Sequence, residues 1–269
     1  MTALLLLVGG LGAGVFGAVL GIGGGILIVP LLTLGFGLPL GAAVGTSLVC
    51  VVATSTGAAA LNVRAGRADV RLGILLEVGT VVGALAAGLA APLVPERVLA
   101  GAFAVMMLYV GVAMTRSRRA DAGRSGAEPW VDPTAPDGPS APPYRTHRLP
   151  VAIAGSAGAG VVSALLGVGG GVIKVPLLRL VMGVPLHVAA ATSNFIIGVT
   201  AAAGAYPYLL RGQVDTAIAG PMVVGVAVGA ATGAALAPRL RAGWLALAFA
   251  AVAVYVAVQM ALRASGVGS

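Results

Sequence analysis

The chain carries one unit twice, in strict register. Gly21-Ile22-Gly23-Gly24-Gly25, Pro30-Leu31-Leu32, Pro39-Leu40 and Thr46-Ser47 return as Gly167-Val168-Gly169-Gly170-Gly171, Pro176-Leu177-Leu178, Pro185-Leu186 and Thr192-Ser193, an offset of 146 residues (167 − 21 = 146). The same offset relates Gly66 to Gly212, Asp69 to Asp215, Gly79 to Gly225, Tyr109 to Tyr255 and Met114 to Met260. A duplicated chain has to set two equivalent groups of elements about a pseudo-two-fold axis. Its best-kept part here is a run of glycines inside apolar sequence. In a membrane, that combination points to broken helices facing each other across the axis, from which many transporters build a substrate site.

The solvent is a bilayer. Of the 269 residues, 59% are hydrophobic and 9% charged, whereas a soluble domain carries roughly 25% charge. Mean hydropathy is +1.04, and apolar stretches on the scale of a span, roughly 20 residues, recur along the chain. The net charge of +8 is not a nucleic-acid footprint, because the arginines lie in the connections and there is no basic helix or aromatic platform. One cysteine, Cys50, excludes an intramolecular disulfide and a cysteine-rich metal site. The start of the chain lacks the basic region of a cleaved signal, so 3–20 reads as a retained membrane segment.

Three regions follow: a membrane repeat over 1–115, a linker over 116–148 and a second repeat over 149–269. The linker opens with Arg116, Arg118, Arg119 and Arg124 and continues through Pro129, Pro133, Pro136, Pro139, Pro142 and Pro143. Proline at that density cannot sustain a helix, and the stretch has too little apolar surface for a core, which predicts a flexible tether. In the first repeat the pattern predicts helices over 2–20, 26–36, 39–63, 70–91 and 98–115. The second repeats them over 150–166, 172–182, 185–210, 216–237 and 243–262. The 26–36 helix would rise only about 16 Å, too little for a hydrocarbon core of about 30 Å. Asp69 and Asp215 stand at matching helix starts, where a carboxylate caps free N–H groups.

Loop charge sets the orientation. Arg64, Arg67 and Arg71 surround one connection, whose equivalent has Arg211 offset by Asp215; Arg239 and Arg241 mark another, whose equivalent has Glu96 beside Arg97. Basic loops stay in the cytoplasm, so equivalent loops fall on opposite sides and the linker is cytoplasmic. The expected fold is therefore all-α, integral to the membrane, with two inverted-topology repeats. Each repeat is a re-entrant helical hairpin plus three transmembrane helices, with the glycine clusters at the hairpin tips.

Non-helical backbone at depth has to be buried in protein or line a cavity. Gly23, Gly24, Gly25, Gly169, Gly170 and Gly171 permit a tight reversal and leave N–H groups bare at the start of a short helix, where an anion is favoured. The alternative is that they only allow close helix packing. Thr46, Ser47, Thr192, Ser193 and Asn194 add neutral donors suited to an oxyanion, unless they satisfy their own helix carbonyls. Lys174 interrupts an apolar helix where the first repeat has Ile28. Intramembrane charge is functional by default, so Lys174 reads as a charge for an anion or as a snorkelling side chain. Glu77, two turns inside a span, reads as a proton-coupling group or as the partner of an arginine.

At these residues the chain resembles the TauE/SafE family, the sulfite exporter or four-toluene-sulfonate uptake permeases. The resemblance rests on Gly21-x-Gly-Gly-Gly25 with Pro30 and Thr46-Ser47, and on Gly167-x-Gly-Gly-Gly171 with Pro176 and Thr192-Ser193. It covers both repeats and leaves out the linker. It implies a multi-pass transporter of the bacterial inner membrane that moves sulfite, sulfonates or related sulfur anions.

Together these readings predict an exporter of a small sulfur oxyanion, sulfite or a C2 organosulfonate, held in a central site between the two glycine-rich helix starts. An interior-negative potential of 100 mV assists an outgoing monoanion by about 2.3 kcal/mol, so uniport suffices. Uptake of sulfonate- or thiosulfate-type anions is the alternative direction, and a membrane sensor or scaffold is the alternative class. The only histidines, His147 and His187, lie in the linker and at a span start, and no Ser-His or carboxylate pair falls at depth, which argues against an enzyme. No catalytic residue, metal or cofactor is expected. The expected partners are the anion and the lipid bilayer, with no nucleic acid; a homo-oligomer is compatible with the sequence.

Overall fold

The computed structural model describes residues 2–20, 24–64, 69–123, 149–184, 186–236 and 242–265, and those residues form helices and short connections with no strand. In the first half, α1 is Thr2–Leu20, α2 is Gly25–Pro30 and continues as a π-helix over Leu31–Gly35, α3 is Leu40–Arg64, α4 is Val70–Ala90 and α5 is Glu96–Gly123. In the second half, α6 is Leu149–Leu166, α7 is Gly171–Pro176 with a π-helix over Leu177–Val181, α8 is Leu186–Leu210, α9 is Thr216–Leu236 and α10 is Ala242–Ser265.

Two boundaries differ from the sequence expectation. The single short helix expected over 26–36 changes winding after Pro30, and its equivalent changes after Pro176. Proline brings no N–H, so the carbonyl four residues back loses its donor and the turn that follows widens. α5 runs to Gly123, into the stretch read as linker. Arg and Ala are good helix formers, and no proline follows until Pro129. The proline-rich 124–148, Gly23 and the arginine-marked connections 65–68 and 237–241 lie outside the described residues.

The main packing runs between the halves. α1 lies along α9 and α6 along α4, while α3 packs on α8 and α5 on α10. The first two pairs are parallel. Gly10 meets Met222 while Gly14 meets Val226 and Ala230; Gly79 meets Ile153 while Gly83 meets Ala157. Gly10/Gly14, Gly225/Gly229, Gly79/Gly83 and Ser156/Gly160 place small residues four apart on facing surfaces, which lets backbones approach closely without a water-driven hydrophobic force. The other two pairs are antiparallel: Gly45 meets Tyr208 and Gly198 meets Ser55; Gly101 meets Ala264 and Gly111 meets Ala250. Within each half the short helix doubles back along the helix before it. Gly24 lies beside Ala13 and Leu31 beside Gly9, as Gly170 lies beside Ala159 and Leu177 beside Gly155.

The outer surface suits lipid. Ile74, Val78 and Val82 stand one turn apart along α4 and are 57%, 64% and 62% exposed, while Glu77 on the same helix turns inward. Val70–Leu93, Leu149–Leu166 and Thr216–Gly233 are long and apolar enough to cross a membrane. The two acidic caps form as expected: Asp69 accepts from the Leu72 N–H at 2.9 Å and Asp215 from the Ala217 N–H at 2.8 Å.

Candidate substrate site

Each glycine cluster places a left-handed residue directly before its short helix. Gly24 has φ 73° and Gly170 φ 77°, each at the N-cap of its short helix, where a side chain is strained and only glycine sits freely. A methyl at either would come 3.3 Å from a carbonyl of the preceding helix, that of Ala13 or Ala159. The two clusters lie against each other. A methyl at Gly25 would lie 2.6 Å from the Gly167 carbonyl and 2.7 Å from Val51, and one at Gly169 would lie 2.7 Å from the other branch of Val51. Ile197, the duplicate of Val51, crowds Gly169 and Gly171 at 2.9 and 2.6 Å from such methyls. Val51 thus stands between the clusters and Ile197 packs against the second, both fully buried.

The predicted hydroxyls divide into two kinds. The Ser47 hydroxyl donates to the Gly167 carbonyl at 2.7 Å and lies 3.1 Å from the Gly25 carbonyl, tying one cluster to the other. The Thr192 hydroxyl accepts from the Asp69 N–H at 2.9 Å. Thr46 and Ser193 are buried with no hydrogen-bond partner, and so is Ser163 on α6, which the sequence analysis does not single out. Each Thr-Ser pair therefore has one engaged and one vacant hydroxyl, in opposite order. Asn194 is half-buried. A buried hydroxyl left unpaired costs roughly 1–3 kcal/mol, so Thr46, Ser163 and Ser193 carry an unmet hydrogen-bonding demand. Ser163 stands 3.4 Å from a methyl position on Gly170, and Ser193 3.7 Å from one on Gly171.

Lys174 does not snorkel. It is 1% exposed, and its ammonium lies 3.2 Å from Glu77 Oε2 on α4 and hydrogen-bonds Thr200 on α8. The Thr200 hydroxyl also lies 2.7 Å from Glu77 Oε1 and 2.9 Å from the Ile196 carbonyl. The carboxylate of Glu77 is thus held by a lysine, not by an arginine. That pairing has a sequence signal: Lys174 is the only lysine in the chain, and Glu77 is the acidic residue lying within a predicted span. Thr200 carries no such mark among many helix threonines. Arg211 lies elsewhere, at the end of α8, donating to the Gly88 and Leu89 carbonyls at 2.9 Å beside a cavity of about 150 Å³ that includes Glu96 and Gln213.

Around the second cluster stand the vacant Ser163 and Ser193 hydroxyls, bare glycine backbone and one internally paired ammonium. Known proteins resemble the chain throughout its length. It is 26% identical over 267 residues, covering 97% of each chain, to a protein of Bacillus subtilis (strain 168) described as a probable membrane transporter protein, YunE. No solved structure matches. A family model described as sulfite exporter TauE/SafE matches residues 6–260. With its duplicated glycine clusters and apolar outer face, the chain belongs to the TauE/SafE family of membrane transporters.

Proposed function

We propose that the protein exports a small sulfur oxyanion, sulfite or a C2 organosulfonate, through a site between the two glycine clusters. The observation that carries this reading is the pair of vacant, buried hydroxyls of Ser163 and Ser193 beside the second glycine cluster, with a third vacant hydroxyl on Thr46 of the other Thr-Ser pair. In this site Gly24, Gly25, Gly169, Gly170 and Gly171, with Gly23 beyond the described residues, present backbone to the oxygens. Thr46 and Ser193 donate, while Ser47 and Thr192 hold the framework through the bonds they already make. Asn194 lines one side, and Lys174 supplies the positive charge. Val51 occupies the space between the clusters and Ile197 packs against the second, so the anion enters as they move apart.

The repeats are inverted in the bilayer. Antiparallel packing of α3 on α8 and of α5 on α10 supports a pseudo-two-fold axis perpendicular to the helices. In this arrangement α1 with α2, and α6 with α7, are hairpins that bring the clusters inward from opposite faces of the inner membrane. Counterflow in proteoliposomes tests the function. Vesicles preloaded with unlabelled sulfite or ethanesulfonate should accumulate the labelled anion transiently, and protein-free vesicles should not. Absence of counterflow with every sulfur oxyanion tried refutes transport of this class.

A further inference from the structure

Lys174 already has a counter-ion. Its ammonium lies between Glu77 and Thr200, with a glutamate oxygen at 3.2 Å, and its side chain is 1% exposed against 10% for that of Glu77. The vacant Ser163 and Ser193 hydroxyls flank the same turn. A methyl on Gly170 would touch both Ser163 and the Lys174 stem, at 3.4 and 3.7 Å. An oxyanion taken up by these hydroxyls therefore arrives within reach of an ammonium that is neutralised by a carboxylate. Two anions sharing one cation in apolar surroundings cannot both keep their charge. A sulfonate, the anion of a strong acid, cannot take up a proton; the carboxylate can.

We propose that anion binding recruits a proton to Glu77, so that this residue, rather than the substrate, carries the coupling ion. The inference rests on the oxyanion site described under Proposed function. The step is a transfer of one proton from solvent to a Glu77 carboxylate oxygen as Lys174 turns from Glu77 to the anion. Thr200 fits both states. With Glu77 ionised, the Thr200 hydroxyl donates to it at 2.7 Å; with Glu77 protonated, Thr200 accepts from the acid and donates to the Ile196 carbonyl at 2.9 Å. Glu77, the more exposed member of the pair, is where the proton enters. Among the described side chains no other ionisable group faces the pair. On α4, Arg71 is exposed; on α8, Tyr206 is exposed and Tyr208 donates to the Ala164 carbonyl. α6 has no ionisable side chain, and those of Arg179 and His187 lie outside the described set. The positions 146 residues away from Lys174 and Glu77 hold Ile28 in the first half and Val223 in the second, so the device exists once per molecule. A monoanion that moves with this proton carries no net charge, so the anion gradient and the pH gradient, not the membrane potential, set the direction of net movement.

The test is calorimetric titration of the purified full chain with ethanesulfonate, which has no protonation of its own near neutral pH. The titrations run in Bis-Tris and in Tris, amine buffers of different ionisation enthalpy. The inference expects close to one proton taken up per anion and an affinity that weakens about tenfold per pH unit above neutrality. Glu77→Gln should abolish both the uptake and the pH dependence while binding persists. Wild-type binding with no proton uptake overturns the inference and leaves the site standing. If ethanesulfonate and sulfite both fail to bind, the site and the inference fall together. The wild-type measurement decides even if Glu77→Gln does not fold.

Discussion

Ile28 and Lys174 occupy the same turn of two short helices related by the duplication, and both are fully buried. Around Lys174 stand Glu77 and Thr200. The positions 146 residues away hold Val223 and Thr54, and Thr54 turns its hydroxyl back to the Val51 carbonyl of its own helix at 3.0 Å. The backbone is alike in both places, with Gly24 and Gly170 at φ 73° and 77°. The duplication thus keeps the geometry of the clusters and varies the charge beside them. A buried lysine without its glutamate, or the reverse, is an uncompensated ion, so Lys174 of the second half is matched by Glu77 of the first, while the equivalent positions, Ile28 and Val223, are both neutral.

The contrast is broken most sharply by topology. In a Cys50→Ala background, cysteines at Arg67 and Gln213, equivalent positions of the two repeats (213 − 67 = 146), should react with an impermeant maleimide from opposite faces. Labelling from one face would make the halves parallel copies. The next effect is on stability. Lys174→Met leaves the Glu77 carboxylate unpaired and should cost about 3–5 kcal/mol, whereas Ile28→Met, a volume-conserving swap, should cost less than about 1.5 kcal/mol. Lys174→Met with Glu77→Gln should recover most of the loss in thermal unfolding. Equal costs for the two single changes would mean the halves do not differ in energy. A comparison expected to show no difference is Gly83→Leu against Gly229→Leu. Each forces a side chain against the backbone of a parallel partner, and each should lose about 1–3 kcal/mol. The smallest effect is at the caps. Gly24→Ala and Gly170→Ala place a methyl in the left-handed region, at about 1–2 kcal/mol each by the same measurement. A helix-propensity argument would have alanine favoured there; the positive φ reverses it.

The duplication, the helices and their caps were legible because hydropathy and acidic helix starts leave a one-dimensional trace. Thr2–Leu20 and the starts at Val70 and Thr216 fall where the apolar runs place them. The widened turns after Pro30 and Pro176 were not, since proline marks a lost donor but not how the winding adjusts. At the site, the glycines and Lys174 stood out by composition. The pairing of Lys174 with Glu77 depends on α4 packing against α6 and α8, a long-range contact that no local pattern encodes. The division of the hydroxyls was equally hidden. Ser47 and Thr192 look like Ser193 and Thr46 in sequence, and only the neighbouring Gly167 carbonyl and Asp69 N–H separate them.

The parallel pairing of α1 with α9 also bears on how the molecule is made. The small-residue face of α1, with Gly10 and Gly14, is covered by Gly225 and Gly229 from the far end of the chain. At a synthesis rate of about 5–20 residues per second, α1 waits on the order of 10–40 s in the bilayer before its partner emerges. During that interval the first half has no internal substitute for α9, because its own fourth helix, α4, is reserved for α6. Nascent chains are therefore most vulnerable to membrane proteases and to wrong helix partners while the second half is still on the ribosome. A truncated first half should be degraded unless the second is supplied alongside it.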